Sequence, residues 1–239
     1  ITMLRDAARA GTTARYSGTQ FSTSWGPRGA SAMLAQVEHD PGTGTRYRVV
    51  GGGPTEATIG DISDPSLVEF IVAGYDVEIA GTGTVAGRGA TVIDLRRGDG
   101  TLAARLWTDS EAGLLLRREV YDEGAKLVRA SGFLDIDLQP GAAADPSSMS
   151  VTVSTARGTQ TAQVPSGPTL PARLGTSMRL LGSSRMTVDE AEVTHLLYTD
   201  GLSSVSVFYQ RGSLDDEKLD GFDRRTIGET SFYVAQDEP

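Results

Sequence analysis

Arg105–Leu138, RLWTDSEAGLLLRREVYDEGAKLVRASGFLDIDL, is the longest passage in which residue chemistry and hydrophobic pattern agree on one structure. Two turn-like stretches, Asp109-Ser110-Glu111-Ala112-Gly113 and Asp122-Glu123-Gly124-Ala125, separate three runs of strand-forming residues. A short loop containing Gly between such runs is the signal of a β-hairpin, so the passage predicts a three-stranded antiparallel meander. From Val128 onward Ala130, Gly132, Leu134, Ile136 and Leu138 recur at every second position. Arg129, Ser131, Asp135 and Asp137 lie between them. Period two predicts a sheet with one buried face and one wetter face. Phe133 is a large apolar residue on the face read as wetter, and it marks either a domain contact or a reversed assignment of the two faces.

Working outward, 239 residues suffice for one large domain or two modest ones. The 29 glycines, accompanied by many Thr, Ser and Val, favour sheet and turns. No apolar run approaches the roughly 20 residues that span a bilayer as a helix. A net charge of −9 argues against nucleic acid, because phosphate binding requires a basic patch. Of the basic residues only Lys126 and Lys218 are lysine. The absence of Cys excludes disulfides, thiolate metal sites and cysteine nucleophiles. The chain begins at Ile1, so any signal peptide or membrane anchor is expected upstream.

In order, residues 1–10 predict a short helix stopped at Gly11. Strands are expected over Tyr16–Trp25, Ala30–His39 and Thr45–Val50, separated by Gly/Pro turns. Asp64-Pro65 opens a second helix, ended by Gly74. A strand pair over about residues 75–81 and 88–97 precedes the opening meander. The first 140 residues thus read as one curved antiparallel sheet with two helical insertions. Residues 139–149 read as a flexible linker, and 165–168 as a second joint. Glu192–Tyr198 and Leu202–Gln210 flank Thr199-Asp200-Gly201, and Asp-Gly between β-rich runs is a strong hairpin signal. Residues 212–221 read as an acidic surface loop and 230–235 as a last strand.

The chemistry offered by these residues is sparse. His39 and His195 are the only histidines, both inside strand patterns and without a G-x-S-x-G elbow, so no catalytic residue is assigned. Asp135 and Asp137 share a strand face and Asp215-Asp216-Glu217 cluster, yet both read as solvated surface, and no metal site is assigned. Gly81-Thr82-Gly83-Thr84-Val85-Ala86 matches G-x-G-x-x-A formally, but Gly87-Arg88-Gly89 and the β-rich run after it deny the helix that a dinucleotide needs. The stretch reads as a hairpin loop, and no cofactor is implied. The apolar face of the curved sheet is either filled by helices or left partly open for an apolar ligand.

Several passages together resemble the MucB/RseB family of extracytoplasmic regulators of an envelope-stress sigma factor. Tyr16-Ser17-Gly18-Thr19 follows the first helix as the family's Y-S-G-T does, and His39 ends the second strand. Val85-Ala86-Gly87-Arg88 is similar to the family's V-A-G-R turn. Arg105-Leu106-Trp107-Thr108-Asp109 with Gly113-Leu114-Leu115-Leu116-Arg117 is similar to its L-W-x-D…G-L-L-L-R hairpin. Tyr198–Phe208, YTDGLSSVSVF, resembles its Y-S-D-G-L-x-x-x-S-V-F segment. The resemblance implies an α+β protein. An N-terminal unclosed antiparallel β-barrel packed on helices, like the lipoprotein carriers, is expected over 1–145. A smaller C-terminal α+β domain is expected over 146–239, with more strand and helix beyond Pro239. It implies a non-enzymatic, exported regulator that binds the extracytoplasmic region of a membrane-anchored anti-sigma factor and modulates its proteolysis, the alternative being a lipid or lipoprotein carrier. Leu106, Leu116, Val128, Leu134 and Ile136 are expected to line a cavity for lipid or lipoprotein acyl chains. Tyr198, Asp200, Gly201, Leu202 and Phe208 are expected to make the domain or partner contact.

Overall fold

A computed structural model describes residues 1–26, 29–41, 43–52, 65–138, 172–175, 177–188, 191–210, 212, 219, 222–227 and 230–234. The expected linkers at 139–149 and 165–168 and most of the acidic loop lie outside the described residues. Two helices, α1 (Thr2–Thr13) and α2 (Pro65–Gly74), interrupt an antiparallel chain of strands. These are β1 (Tyr16–Gly26), β2 (Gly29–Asp40), β3 (Gly44–Gly52), β4 (Asp76–Val85), β5 (Arg88–Arg96), β6 (Leu102–Asp109), β7 (Leu115–Tyr121) and β8 (Leu127–Leu138). They form one sheet in the order β3-β2-β1-β8-β7-β6-β5-β4. The β1–β8 pairing joins the first strand of the chain to the end of the Arg105–Leu138 meander. β3 and β4 remain edges, so the sheet is an unclosed half-barrel, as expected.

The C-terminal part contributes β9 (Arg173–Leu174), β10 (Met178–Val188), β11 (Ala191–Thr199) and β12 (Ser204–Gln210), in the order β12-β11-β10-β9. A separate ribbon pairs β13 (Asp223–Ile227) with β14 (Thr230–Val234). Every described element of this part is a strand.

α1 buries Leu4, Ala7, Ala8 and Gly11, a spacing that gathers them on one helix face. Gly11, expected as the stop, lies inside the helix and is buried. Its lack of a side chain serves close packing there, and the helix closes instead where the Ala14 amide donates to the Ala10 carbonyl. Leu4 and Ala8 meet Val68 and Ile71 of α2, Ile93 and Leu95 of β5, and Ala104 and Leu106 of β6 in one apolar cluster. A second cluster joins Ala10, Tyr16, Val37, Leu116 and Phe133. The sheet face carrying these residues is the inner face.

Two further expectations are corrected. Gly81–Thr84 are strand residues of β4, and the turn falls at Ala86-Gly87, because a bulge at Ala80 lets β4 run on to Val85 opposite Arg88. On β8 the regular alternation fails twice. Tyr121 faces Leu127 and Val120 faces Arg129, leaving Val128 unopposed. Thr19 faces Asp135 and Gln20 faces Phe133, leaving Leu134 unopposed. Each extra residue inverts the side to which the following side chains point. Arg129, Ser131 and Phe133 therefore lie on the inner face together with Ile136 and Leu138, and Leu134 is 54% exposed. The assignment of faces over 128–134 was reversed, and Phe133, buried in the second cluster, is core. The same bulge explains Gly18, where an added Cβ would sit 2.2 Å from the Asp135 carbonyl oxygen.

Candidate functional site

The β11–β12 turn is the most constrained feature of the C-terminal part. The Thr199 hydroxyl donates to the Ser203 carbonyl and accepts from the Gly201 amide, at 2.7 and 2.9 Å. Asp200 Oδ1 accepts from the amides of Leu202 and Ser203, at 2.9 and 2.8 Å. Asp at this turn position holds the backbone with its own side chain. The tip so fixed does not face solvent; it is seated on the half-barrel.

Leu202 is buried in the first apolar cluster with Leu4, Val68, Ile71, Leu95 and Leu106. Its carbonyl accepts from Arg118 Nη2 of β7 at 2.8 Å. Asp200 Oδ2 accepts from the Tyr75 hydroxyl at 2.8 Å. Burial, then the neighbouring Asp200 charge, pushes the Tyr75 pKa well above its ordinary value, so Tyr75 remains a protonated donor at neutral pH. Gly201 has φ +94°, and a Cβ there would lie 2.5 Å from Ile71 Cγ1 and 3.0 Å from the Leu67 carbonyl oxygen. Only glycine meets both the backbone angle and the close approach to α2. From β10, Arg179 stacks over the Phe70 ring at 4.5 Å and donates to the Glu69 carbonyl at 3.4 Å.

The residues singled out from sequence divide accordingly. Tyr198 is buried within the C-terminal sheet, its hydroxyl pKa raised by that burial, while Asp200, Gly201 and Leu202 form the seated tip. Phe208 stands apart, 61% exposed and stacked on His195 with ring centroids 4.5 Å apart. Leu106 lies in the first apolar cluster and Leu116 in the second; Ile136 packs against the second, and Val128 is half-buried at its bulge. Tyr75, Arg118 and Arg179 carry no motif that sequence reading singles out; Tyr75 offers one weak signal, an aromatic directly after the helix-ending Gly74.

His39 joins three elements of the half-barrel. His39 is buried, stacked on Tyr16 at 5.0 Å, with Nδ1 2.8 Å from the Thr45 hydroxyl and Nε2 3.4 Å from the Thr12 carbonyl, so it ties α1 to β2 and β3. Asp109 closes the β6–β7 turn, accepting from the amides of Glu111 and Ala112 and from Arg88 Nε at 3.0, 2.7 and 2.5 Å. On the outer face Asp94 is held by Arg105 at 2.6 and 2.8 Å and by Arg96 at 3.1 Å. Beside it Glu119 accepts from Arg117 and from Tyr121, whose hydroxyl is pushed up to about 12 by burial and then by that bond. Among the described residues no three His, Asp or Glu side chains are grouped as metal ligands, and no helix is long and apolar enough to cross a membrane.

The architecture is thus an unclosed antiparallel half-barrel wrapped on two helices, with a second sheet whose hairpin tip is anchored in the first core. Residues 63–159 match the family model described as the MucB/RseB N-terminal domain. Three solved structures share the fold along nearly the whole chain. A crystal structure of MucB covers 97% of this chain and 89% of its own, at 19% identity and TM-score 0.52. MucB in complex with the periplasmic part of MucA covers 99% and 89%, at 20% identity and TM-score 0.51. The Pseudomonas aeruginosa MucA/MucB complex gives 99% and 89%, at 19% identity and TM-score 0.51. No curated protein matches the chain by sequence. The resemblance to the MucB/RseB family read from the motifs is borne out.

Proposed function

We propose that this chain is a non-enzymatic, extracytoplasmic regulator that binds the extracytoplasmic region of a membrane-anchored anti-sigma factor and controls its exposure to proteolysis, with the half-barrel as the sensing domain. The carrying observation is the MucB/RseB match at residues 63–159, set in a fold shared end to end with MucB structures that include complexes with MucA. Two modules are the working division, 1–145 and 146–239, coupled through the seated hairpin tip. Phe208 and His195, on the exposed side of β12 and β11, supply the aromatic anchor typical of a partner contact.

The test is a titration of the full chain with a purified anti-sigma ectodomain, followed by protease challenge. Binding tighter than about 10 µM and slowed cleavage are expected, with Phe208→Ser weakening binding at least about fivefold at unchanged stability. Absence of binding at micromolar concentrations would refute the regulatory reading. Co-purifying lipid without ectodomain binding would instead favour the carrier.

A further inference from the structure

Sheets that end in open edges protect them, because a row of unpaired amides and carbonyls pairs with any extended chain. Both free edges of the half-barrel are protected. β3 carries the exposed Arg46 and Arg48 and is bent by a bulge at Val50, between the Ala35–Val49 and Leu34–Gly51 pairs. β4 carries the exposed Asp76 and Glu78 and the bulge at Ala80. In the C-terminal part β9 is two residues long. The β13–β14 ribbon has five residues in each strand, and Arg224 lies over its Tyr233 ring.

β12 has none of these devices. Its seven residues, SVSVFYQ, include no charge, no Pro and no Gly, and they pair with β11 from Thr199–Ser204 to Val193–Gln210 without a bulge. Among the described residues no strand pairs with its other side. In an antiparallel ladder adjacent residues alternate between bonding the partner strand and pointing their amide and carbonyl away from it. Every second residue of β12 therefore presents both groups at the open edge. Val205 and Val207 oppose Tyr198 and Leu196 on one face, and Ser206 and Phe208 oppose Leu197 and His195 on the other. Val205 and Phe208 remain 37% and 61% exposed. The strand leaves the tip seated on α2 directly, with the Ser203 carbonyl held by the Thr199 hydroxyl, so the edge is fixed before anything adds to it.

A segment that adds here gains a row of backbone bonds. Its side chains must suit those of β12, which asks for β-branched or aromatic residues without charge, over about five to seven positions. A second copy of the chain would bring together two molecules of net charge −9, which opposes self-pairing. A short uncharged segment of another protein carries no such penalty. We propose that the open edge of β12 takes up an extended, uncharged segment of the anti-sigma ectodomain as an added strand of the C-terminal sheet. This rests on the regulatory reading and names how the partner is held.

The experiment is residue-resolved amide hydrogen exchange on the full chain, alone and with the purified anti-sigma ectodomain. On binding, every second amide of β12 slows at least about tenfold, and the β3 and β4 edges do not change. Of Ser206→Pro and Val207→Pro, one removes an outward amide and the other an amide bonded to β11. The outward one keeps the wild-type Tm and weakens ectodomain binding at least about tenfold. Ectodomain binding that leaves the β12 amides unchanged, or slows adjacent ones alike, overturns the added strand while the regulatory reading stands. Protection that appears in the chain alone and grows with its concentration assigns the edge to a second copy and overturns the partner segment. If both proline variants unfold, the exchange pattern on wild type decides. Absence of ectodomain binding at micromolar concentrations refutes the regulatory reading and this inference with it.

Discussion

Gly201→Ala isolates the seat of the hairpin tip. Gly201 and Gly212 both have positive φ, +94° and +109°, so alanine at either position incurs the left-handed penalty of about 1–2 kcal/mol. At Gly212 an added Cβ meets nothing within 4 Å. At Gly201 it would lie 2.5 Å from Ile71 Cγ1, 3.0 Å from the Ile71 amide nitrogen and 3.0 Å from the Leu67 carbonyl oxygen. The last two are helix backbone of α2 and cannot step aside, so the tip must lift. Lifting it exposes Leu202, worth about 1.5–3 kcal/mol when buried, and breaks the buried bond from Arg118 to the Leu202 carbonyl, worth about 1–2 kcal/mol. Gly201→Ala should therefore be less stable than Gly212→Ala by about 2.5–5 kcal/mol in urea unfolding. Amide exchange in α2 should accelerate in the first variant and not in the second. If the two variants fall within about 0.5 kcal/mol of each other, the tip does not sit on α2 and the coupling argument fails.

Other outcomes follow from the same geometry. Tyr75→Phe removes the donor to Asp200 and should cost about 1–2 kcal/mol, read as faster amide exchange at Leu202 and Ser203, whose bonds to Asp200 Oδ1 remain. Burial alone would raise the Asp109 pKa, but the bond from Arg88 and the amides of Ala112 and Glu111 outweigh it and hold it below the ordinary carboxylate value. A depressed folded-state pKa contributes stability that is present above the unfolded value and is lost as pH falls through the folded one. Acid unfolding of wild type should thus show a component below about pH 4 that Asp109→Asn lacks, the variant being less stable at pH 7 and less acid-sensitive below it. On β8, Phe133→Ala should cost about 3–5 kcal/mol and Leu134→Ala less than about 1 kcal/mol, and the opposite order would restore the face assignment drawn from simple alternation.

Why the sheet was legible and its inner face was not follows from how each is encoded. The meander, the β5–β6–β7 order and the Asp200-Gly201 hairpin are written locally, in turns where Asp109 and Asp200 bond their own backbone and glycine accepts positive φ. Pairing β1 with β8 is not local, and the bulges at Val128 and Leu134 exist only relative to the partner strand, so no inspection of Val128–Leu138 alone could place them. The family resemblance supplied the half-barrel, because its motifs mark turns, but a turn motif does not say what its tip touches. Gly201 shows the difference. Its φ is legible from the Asp-Gly pair, and a solvent-facing turn would use the same two residues. What makes it an anchor is Ile71, 130 positions earlier, at a distance that leaves no room for a methyl group. Arg129 shows it from the other side. Period two assigned it to a wet face, where an arginine needs no explanation. It lies between the two bulges, and the residue inserted at Leu134 puts it inside with Phe133, half-buried and without a carboxylate partner among the described residues. The residues that seat one sheet on the other, and the arginine left without a carboxylate, are thus those that local pattern reads as ordinary, and long-range register is what gives them their surroundings.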